Sequence, residues 1–172
     1  MSTGLYEATV ERFIQTLGGV AGFLERGRAH CDDTGLDPQE IVHARLWEDM
    51  LPFSFQIVSV VRHSQGAIEG VRQGVFSPPP RETFTYEELQ AKVAATRDWL
   101  SRIERTEIEA LAERDMMFKA GEHTIPFTCE GFLLSFSLPN FYFHAATAYD
   151  ILRSKGVPLG KRDYIGQFRT RA

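Results

Sequence analysis

The sequence is poor in cysteine, and its two cysteines, Cys31 and Cys129, form no C-x-x-C motif. Two isolated thiols exclude a disulfide framework and are typical of cytosolic proteins. The first residues, MSTGLYEATVERF, carry charges where a secretory signal peptide needs an apolar run. These absences together predict a cytoplasmic protein.

The sequence also lacks an excess of positive charge and any long apolar run. Its net charge is −4, so no basic field would attract the phosphates of a nucleic acid. The most apolar window, residues 131–151, is interrupted by Ser, Pro, Asn and His and falls short of a membrane span. We therefore expect neither a nucleic acid nor a membrane as a partner.

Motifs for nucleophilic catalysis, phosphate binding and zinc proteolysis are missing as well. The chain contains no G-x-S-x-G, no Gly-rich phosphate loop and no H-E-x-x-H. Cys129 lies near a predicted helix start, where the helix dipole can activate a thiol. A small buried thiol beside Phe127 and Phe132 is the favoured interpretation, because cysteine is so often buried.

The sequence does contain a succession of amphipathic helical patterns. Helices are predicted from Gly4 to His30, from Pro52 to Gly74, from Thr85 to Ile103 and from Thr128 to Gly156. Residues 115–127 predict a small hairpin or loop excursion, and the prolines within 75–84 predict an extended linker. The chain is long enough for one domain with a sizeable core. This pattern predicts an all-α fold, an up-and-down four-helix bundle, as a single domain over residues 1–172.

Local signals indicate where some of these helices begin or bend. Asp37 can cap a short helix that has Pro38 at its first position, and Thr85 with Glu88 forms a capping-box pattern. Pro139 lies inside the last predicted helix, where a missing N–H usually produces a kink.

Polar residues recur on helix faces that should point inward. Asn140 and His144 are four residues apart, so their side chains lie one turn apart on one face. Asp49, Gln56 and His63 repeat at steps of seven and would share a stripe if the helix ran through Asp49. An unsatisfied buried polar group costs about 1–3 kcal/mol. These residues must therefore meet one another, water, a metal or a ligand.

Two interpretations of this cluster stay open. A buried Gln–Asn–His cluster commonly satisfies itself and only fixes the packing of helices. A small-molecule or metal site is the other possibility, although one histidine plus amides makes a poor shell for zinc. His63 can supply a second nitrogen or face solvent, whereas His30, His43 and His123 are expected at the surface.

Two segments resemble a known family. FLLSFSLPNFYFHAATAYDILRSKGVPLGKRDYIG, residues 132–166, resembles the C-terminal signature of an uncharacterised bacterial and fungal family of the DinB-like superfamily. ARLWEDMLPFSFQ, residues 44–56, is similar to the second signature of that family. The likeness spans nearly the whole chain, and its last segment is the specific part.

The resemblance implies a four-helix bundle, often dimeric, in which many members hold a divalent metal through three histidines. One of these histidines comes from the second helix and two from an H-x-x-x-H on the last long helix; some members use the metal to activate a thiol. His144 falls at the second position of that pair and Asn140 at the first. Gln56, or failing it Asp49 or His63, matches the second-helix position.

We therefore expect a polar pocket between the second and last long helices. Gln56, Asn140 and His144 would form its floor, with Asp49 nearby, and bind a small ligand or a weakly held Zn or Ni ion. His144 would be the catalytic acid/base or metal ligand. The alternatives are a non-catalytic interaction protein and a thiol transferase-like enzyme with a degenerate site. A homodimer is the expected assembly.

Overall fold

The structure, a computed structural model, describes residues 4–78, 82–168 and 170. A π-helical segment covers Phe132–Ser137. The strands are β1 (Val75–Phe76), β2 (Asp115–Ala120) and β3 (His123–Thr128). The helices are α1 (Leu5–Ala8), α2 (Val10–Thr34), α3 (Pro38–His43), α4 (Phe53–Arg62), α5 (Gln65–Gln73), α6 (Tyr86–Leu100), α7 (Arg105–Leu111), α8 (Cys129–Gly131), α9 (Leu138–Ser154) and α10 (Lys161–Ile165).

The core lies between four helices. Helix α4 packs against α6 and α9, and α2 packs against the same two helices. Phe13 of α2 meets Phe141 of α9 edge-on, with ring centroids 4.9 Å apart. On the inner side of the last helix, Phe141, Ala145, Ala148 and Leu152 are fully buried, and Leu138 is partly buried against the core. The mainly helical class is confirmed, whereas the up-and-down order and the single-domain boundaries stay predictions.

A small sheet corrects the all-α expectation. The predicted hairpin is present, because β2 and β3 pair antiparallel around a turn at Gly121 with φ +59°. The first two residues of the predicted linker, Val75 and Phe76, form β1 and pair parallel with β2. Gly74 ends α5 in the left-handed region, and its carbonyl accepts from the Met117 N–H at 2.9 Å. Residues 79–81 of that linker lie outside the described residues.

Two predicted long helices are interrupted. The first is divided at Thr9 into α1 and α2, and it continues past His30 to Thr34. The second is divided into α4 and α5 at His63 and Ser64. The Ser64 hydroxyl donates to the Val60 carbonyl at 2.7 Å, a local bond of the kind that competes with the helical ladder. This interruption places His63 at the end of α4.

The last helix changes its winding before Pro139. Pro139 has no N–H for the carbonyl four residues earlier, and the π-helical segment ends directly before α9, which has this proline in its first turn. Such wide turns inside a helix often occur at functional sites. The irregularity predicted at Pro139 is therefore present, upstream of the proline, and brings Ser137 inside.

The predicted helix caps are largely confirmed. The Asp37 side chain accepts from the Gln39 N–H at 2.9 Å. Thr85 and Glu88 form the reciprocal capping box, with N–H to side-chain oxygen distances of 2.7 and 3.2 Å. Across residues 4–78 and 82–168, no helix is long and apolar enough to cross a membrane.

Candidate functional site

The packing of α4 against α9 brings Gln56 and His144 together. Gln56 Oε1 lies 2.8 Å from His144 Nδ1, and Gln56 is only 2% exposed. The Gln56 Nε2 group donates to the Leu51 carbonyl at 2.8 Å. Since a carbonyl can only accept, the amide nitrogen must face Leu51 and the amide oxygen must face His144. His144 Nδ1 therefore carries the proton and donates it to Gln56.

A second histidine lies against the first. The His63 ring stacks on the His144 ring, with centroids 5.8 Å apart and planes inclined by 15°. His63 is 7% exposed, and its Nδ1 lies 3.2 Å from Ser137 Oγ. The single hydroxyl proton of Ser137 goes to the His63 carbonyl at 3.0 Å. Ser137 Oγ is thus the acceptor, and His63 is protonated on Nδ1 as well.

These two side chains, called here the imidazole pair, are both neutral at pH 7. Burial lowers the pKa of His144 to about 4. Burial, followed by the charges of His144 and Arg62, lowers the pKa of His63 to about 3. Desolvation disfavours the charged form of a base, which is why both shifts are downward. Each ring is therefore a neutral imidazole with a lone pair on Nε2.

Aromatic side chains supply the environment that disfavours charge. Phe76 and Phe136 lie against His63, with centroids 5.4 and 5.7 Å from its ring. Phe55 and Phe143 meet the His144 ring edge-on at 5.9 and 5.3 Å, and Phe143 is 58% exposed. The imidazole pair therefore lies among one buried, two half-buried and one exposed phenylalanine.

The Nε2 atoms of the imidazole pair are open to an outside donor. Neither has a hydrogen-bond partner within the part of the chain that the structure describes. Within the described residues, Glu7 Oε2 is a side-chain atom that is both buried and without a hydrogen-bond partner, and neither Nε2 atom is in that situation. Each Nε2 atom thus keeps some contact with solvent and can accept a hydrogen bond, and the centroids of the two rings lie 5.8 Å apart.

Asn140 and Asp49 do not join this site. The Asn140 amide donates to the Phe136 carbonyl at 2.7 Å, one turn earlier in the irregular part of its own helix. Within the described residues it makes no hydrogen bond to His144 or Gln56. Asp49 is exposed in the turn before α4, which begins only at Phe53 after Pro52. A shared helical stripe required a helix through Asp49, and that condition is not met.

The predicted hollow is not found among the clefts that the structure describes. Four clefts of about 210–580 Å³ are lined by residues other than Gln56, Asn140 and His144. The bond between the α4 amide and the α9 imidazole is present, but it lies at a surface edge. Cys129 is buried and its thiol pKa is raised by burial, in agreement with the structural interpretation of this residue.

The donor set does not fit the three-histidine metal centre that the resemblance implies. In the described part of the chain, no group of three or more His, Cys, Asp or Glu side chains could hold a metal ion. The imidazole pair supplies two nitrogens, and Gln56 Oε1 is already bonded to His144. Amide oxygens are weak partners for Zn or Ni. We derive no chemical step through a metal at this site.

Sequence reasoning left His63 undecided and missed Ser137. His63 lies seven residues after Gln56, and that spacing was the available signal for a shared face. Ser137 lies seven residues before His144, but it is the last residue of the π-helical segment, and that segment has no clear sequence signature. Both residues enter the site through irregular helix ends.

Comparison with known proteins gives the fold family. A crystal structure described as a DinB family member protein from Shewanella denitrificans is similar with a TM-score of 0.81 and 23% identity, over 98% of this chain and 95% of that chain. At this identity, the likeness concerns the fold alone. No curated protein matches the chain. The family model described as "Domain of unknown function (DUF1993)" matches residues 5–165. The resemblance to an uncharacterised DinB-like family is thus confirmed, and the chain belongs to the DUF1993 family.

Proposed function

We propose that this DinB-like protein binds a small molecule at the Nε2 edge of the imidazole pair. The observation that carries the proposal is the Gln56–His144 bond of 2.8 Å across the α4–α9 packing. This bond fixes the Nδ1–H tautomer and leaves His144 Nε2 as an acceptor. Water satisfies this acceptor when no ligand is bound, so a ligand that carries a donor can take the place of the water.

The chemistry of the edge defines the class of ligand. Two neutral imidazoles accept hydrogen bonds, so the ligand must present N–H or O–H donors. Phe143 is exposed beside His144 and offers a face for an apolar or aromatic part. A donor-bearing molecule with an apolar body satisfies both conditions. Gln56 then acts as a positioning residue, because it orients the ring that meets the ligand.

Binding is better supported than acid/base catalysis at His144. A general base works best when its pKa lies near the operating pH. Burial lowers the pKa of His144 to about 4, so its nitrogen is a weak base at neutral pH. The same shift keeps the nitrogen neutral and available as an acceptor.

The second candidate function is that of an interaction protein whose polar cluster only fixes helix packing. Asn140, Ser137 and the Gln56 amide nitrogen all bond to nearby backbone carbonyls, which supports this alternative. Under it, the fold is the up-and-down bundle predicted from the sequence, and two copies form a homodimer. The mass in solution, measured by light scattering, tests the dimer: the expected mass is that of two chains.

The metal-dependent alternative needs a direct measurement. The imidazole pair offers two nitrogens where the DinB-like centre has three, so we expect no tightly held Zn or Ni. Elemental analysis of protein purified without an affinity tag, with His144→Ala beside it, should give less than about a tenth of an equivalent of metal. A full equivalent of metal in the parent protein that is absent from His144→Ala would favour the thiol transferase-like enzyme with a degenerate site.

A thermal-shift screen of a small-molecule library tests the proposed function. A ligand that binds only the folded state raises the unfolding midpoint of the parent protein, and the rise grows with the ratio of free ligand to Kd. We expect the rise to vanish in His144→Ala and to persist in His123→Ala, which removes an exposed histidine. A hit that is retained equally in both variants, or a screen without hits, would favour the purely structural cluster.

A further inference from the structure

A second polar region lies between α4, α5 and α6, separate from the imidazole pair. It is a cleft of about 350 Å³, with apolar walls at Val58, Val61 and Phe84. Four charged side chains also line it: Arg62, Lys92, Glu69 and Glu82. We call it the charged cleft.

Among the described residues, Arg62 forms no salt bridge with a carboxylate and is held by a backbone carbonyl and an aromatic ring. Its Nε and Nη2 groups donate to the Ser77 carbonyl at 2.8 and 2.6 Å, and its guanidinium lies 4.4 Å from the centre of the Phe76 ring. A Cβ at Gly66 would lie 2.8 Å from Arg62 Cδ, so this glycine leaves room for the side chain. Burial lowers the Arg62 pKa. A desolvated cation is costly unless it is paired.

The other charged groups of the charged cleft are also not ion-paired. Lys92 Nζ lies 4.3 Å from the centre of the Phe84 ring. Glu69 accepts from the Gln65 amide at 2.8 Å, and its charge raises the pKa of Arg62. Among the described residues, none of these charges, nor the exposed Glu82, forms a salt bridge.

The floor of the charged cleft is ordered by hydrogen bonds. The Thr96 hydroxyl, 2% exposed, donates to Gln65 Oε1 at 3.2 Å. Gln65 then donates to Glu69, which fixes the carboxylate on the α5 side. Hydrogen bonds therefore hold Arg62 and Glu69 along the same space, and no salt bridge among the described residues joins the cations of the cleft to its carboxylates.

We propose that the charged cleft binds a small α-amino acid with an apolar side chain. The carboxylate of the ligand would lie against Arg62 and Lys92, its ammonium group against Glu69, and its side chain against Val58 and Val61. A simple anion would leave Glu69 facing like charge, and a simple amine would leave Arg62 unpaired. This proposal does not rest on the imidazole pair.

An NMR titration of the full ¹⁵N-labelled chain tests it with three matched probes. L-Leucine carries both charges, 4-methylpentanoate lacks the amine, and 3-methylbutylamine lacks the carboxylate. We expect leucine to shift amide signals around Gly66 and Ala95, and each single-charge probe to bind at least about tenfold more weakly. Absence of leucine-induced shifts there would overturn the proposal, as would equal binding of 4-methylpentanoate.

Substitutions in the charged cleft identify the side chains that bind leucine. Lys92→Met and Glu69→Gln each remove one charge with little change in shape, so both should weaken leucine binding about tenfold. Arg62→Met should abolish binding, but it also removes the bonds to Ser77 and is interpreted only if its circular dichroism matches the parent. Lys155→Met removes an exposed lysine elsewhere and should bind like the parent. Unchanged binding in both Lys92→Met and Glu69→Gln would contradict the assignment.

Discussion

The imidazole pair and the charged cleft meet at the end of α4, where His63 belongs to the first and Arg62 to the second, but they satisfy their polar groups differently. At the imidazole pair, the Nδ1 atoms are bonded to Gln56 and Ser137 and both rings are neutral. In the charged cleft, Arg62 and Glu69 keep their charges without a salt bridge between them. The bonded Nδ1 atoms of the imidazole pair contribute to stability and leave only the Nε2 atoms for a ligand, whereas the charged cleft offers several charges to a ligand. Each of the following predictions tests that division.

The largest expected effect is a loss of folding stability in acid that is caused by the imidazole pair. The folded-state pKa values of about 4 and about 3 lie below the ordinary value of 6.5. The unfolded chain therefore binds more protons between pH 6.5 and those values, and stability falls as the pH drops through this window. Each histidine contributes at most about 1.4 kcal/mol per pH unit. Because both rings keep some contact with solvent, we expect less than this maximum: the free energy of unfolding should fall by an amount on the order of 3 kcal/mol between pH 6.5 and pH 4.

Urea unfolding at several pH values measures this effect. His144→Asn keeps a donor for Gln56 but does not titrate, so its stability should depend less steeply on pH. His123→Asn, which changes an exposed histidine, should keep the slope of the parent. Equal slopes in all three proteins would assign the acid sensitivity to groups outside the imidazole pair.

Gln56, which is bonded to the imidazole pair, and Gln65, which lines the charged cleft, provide the next comparison. Gln56→Leu removes the acceptor of His144 and the donor of the Leu51 carbonyl at a site that is 2% exposed. It should cost about 2–3 kcal/mol of unfolding free energy. Gln65→Leu breaks the bonds to Thr96 and Glu69 at a half-buried position open to water, and should cost less than about 1 kcal/mol. Chemical denaturation measures both; equal costs would remove the distinction between the regions.

The smallest effects are expected at the two residues that do not join the imidazole pair. Asn140→Ala leaves the Phe136 carbonyl without its side-chain donor and should cost about 1 kcal/mol. Asp49 is exposed in a turn, and Asp49→Ala should stay within about 0.5 kcal/mol of the parent. Loss of ligand-dependent stabilisation in Asn140→Ala, with the fold intact, would return Asn140 to the binding site.

Much of the helical framework follows from local patterns. The stripe of buried side chains on α9 and the caps at Asp37 and Thr85 depend on residues close in sequence, so they could be predicted. Strand β1 depends on pairing with β2, some forty positions further along the chain. Such long-range pairing overrides local propensity and could not be predicted from the linker.

The candidate site also combines features that follow from local patterns with features that depend on tertiary packing. The approach of Gln56 and His144 follows from inward-facing positions on two helices that pack together. Asp49 does not lie near Gln56 in this way, because α4 begins at Phe53 and the seven-residue spacing places two residues on one face only within a helix. His63 and Ser137 meet through the α4 terminus and the π-helical segment, and both irregularities depend on tertiary packing.

The tautomer of the imidazole pair is the most direct test of the account. Long-range ¹H–¹⁵N spectra of the histidine rings between pH 5 and pH 8 distinguish a protonated from an unprotonated ring nitrogen. The account predicts that His144 and His63 are protonated on Nδ1, unprotonated on Nε2 and unchanged across this range. A His144 ring that carries its proton on Nε2, or titrates near pH 6.5, would contradict the bond to Gln56 and the open acceptor on which the proposed site depends.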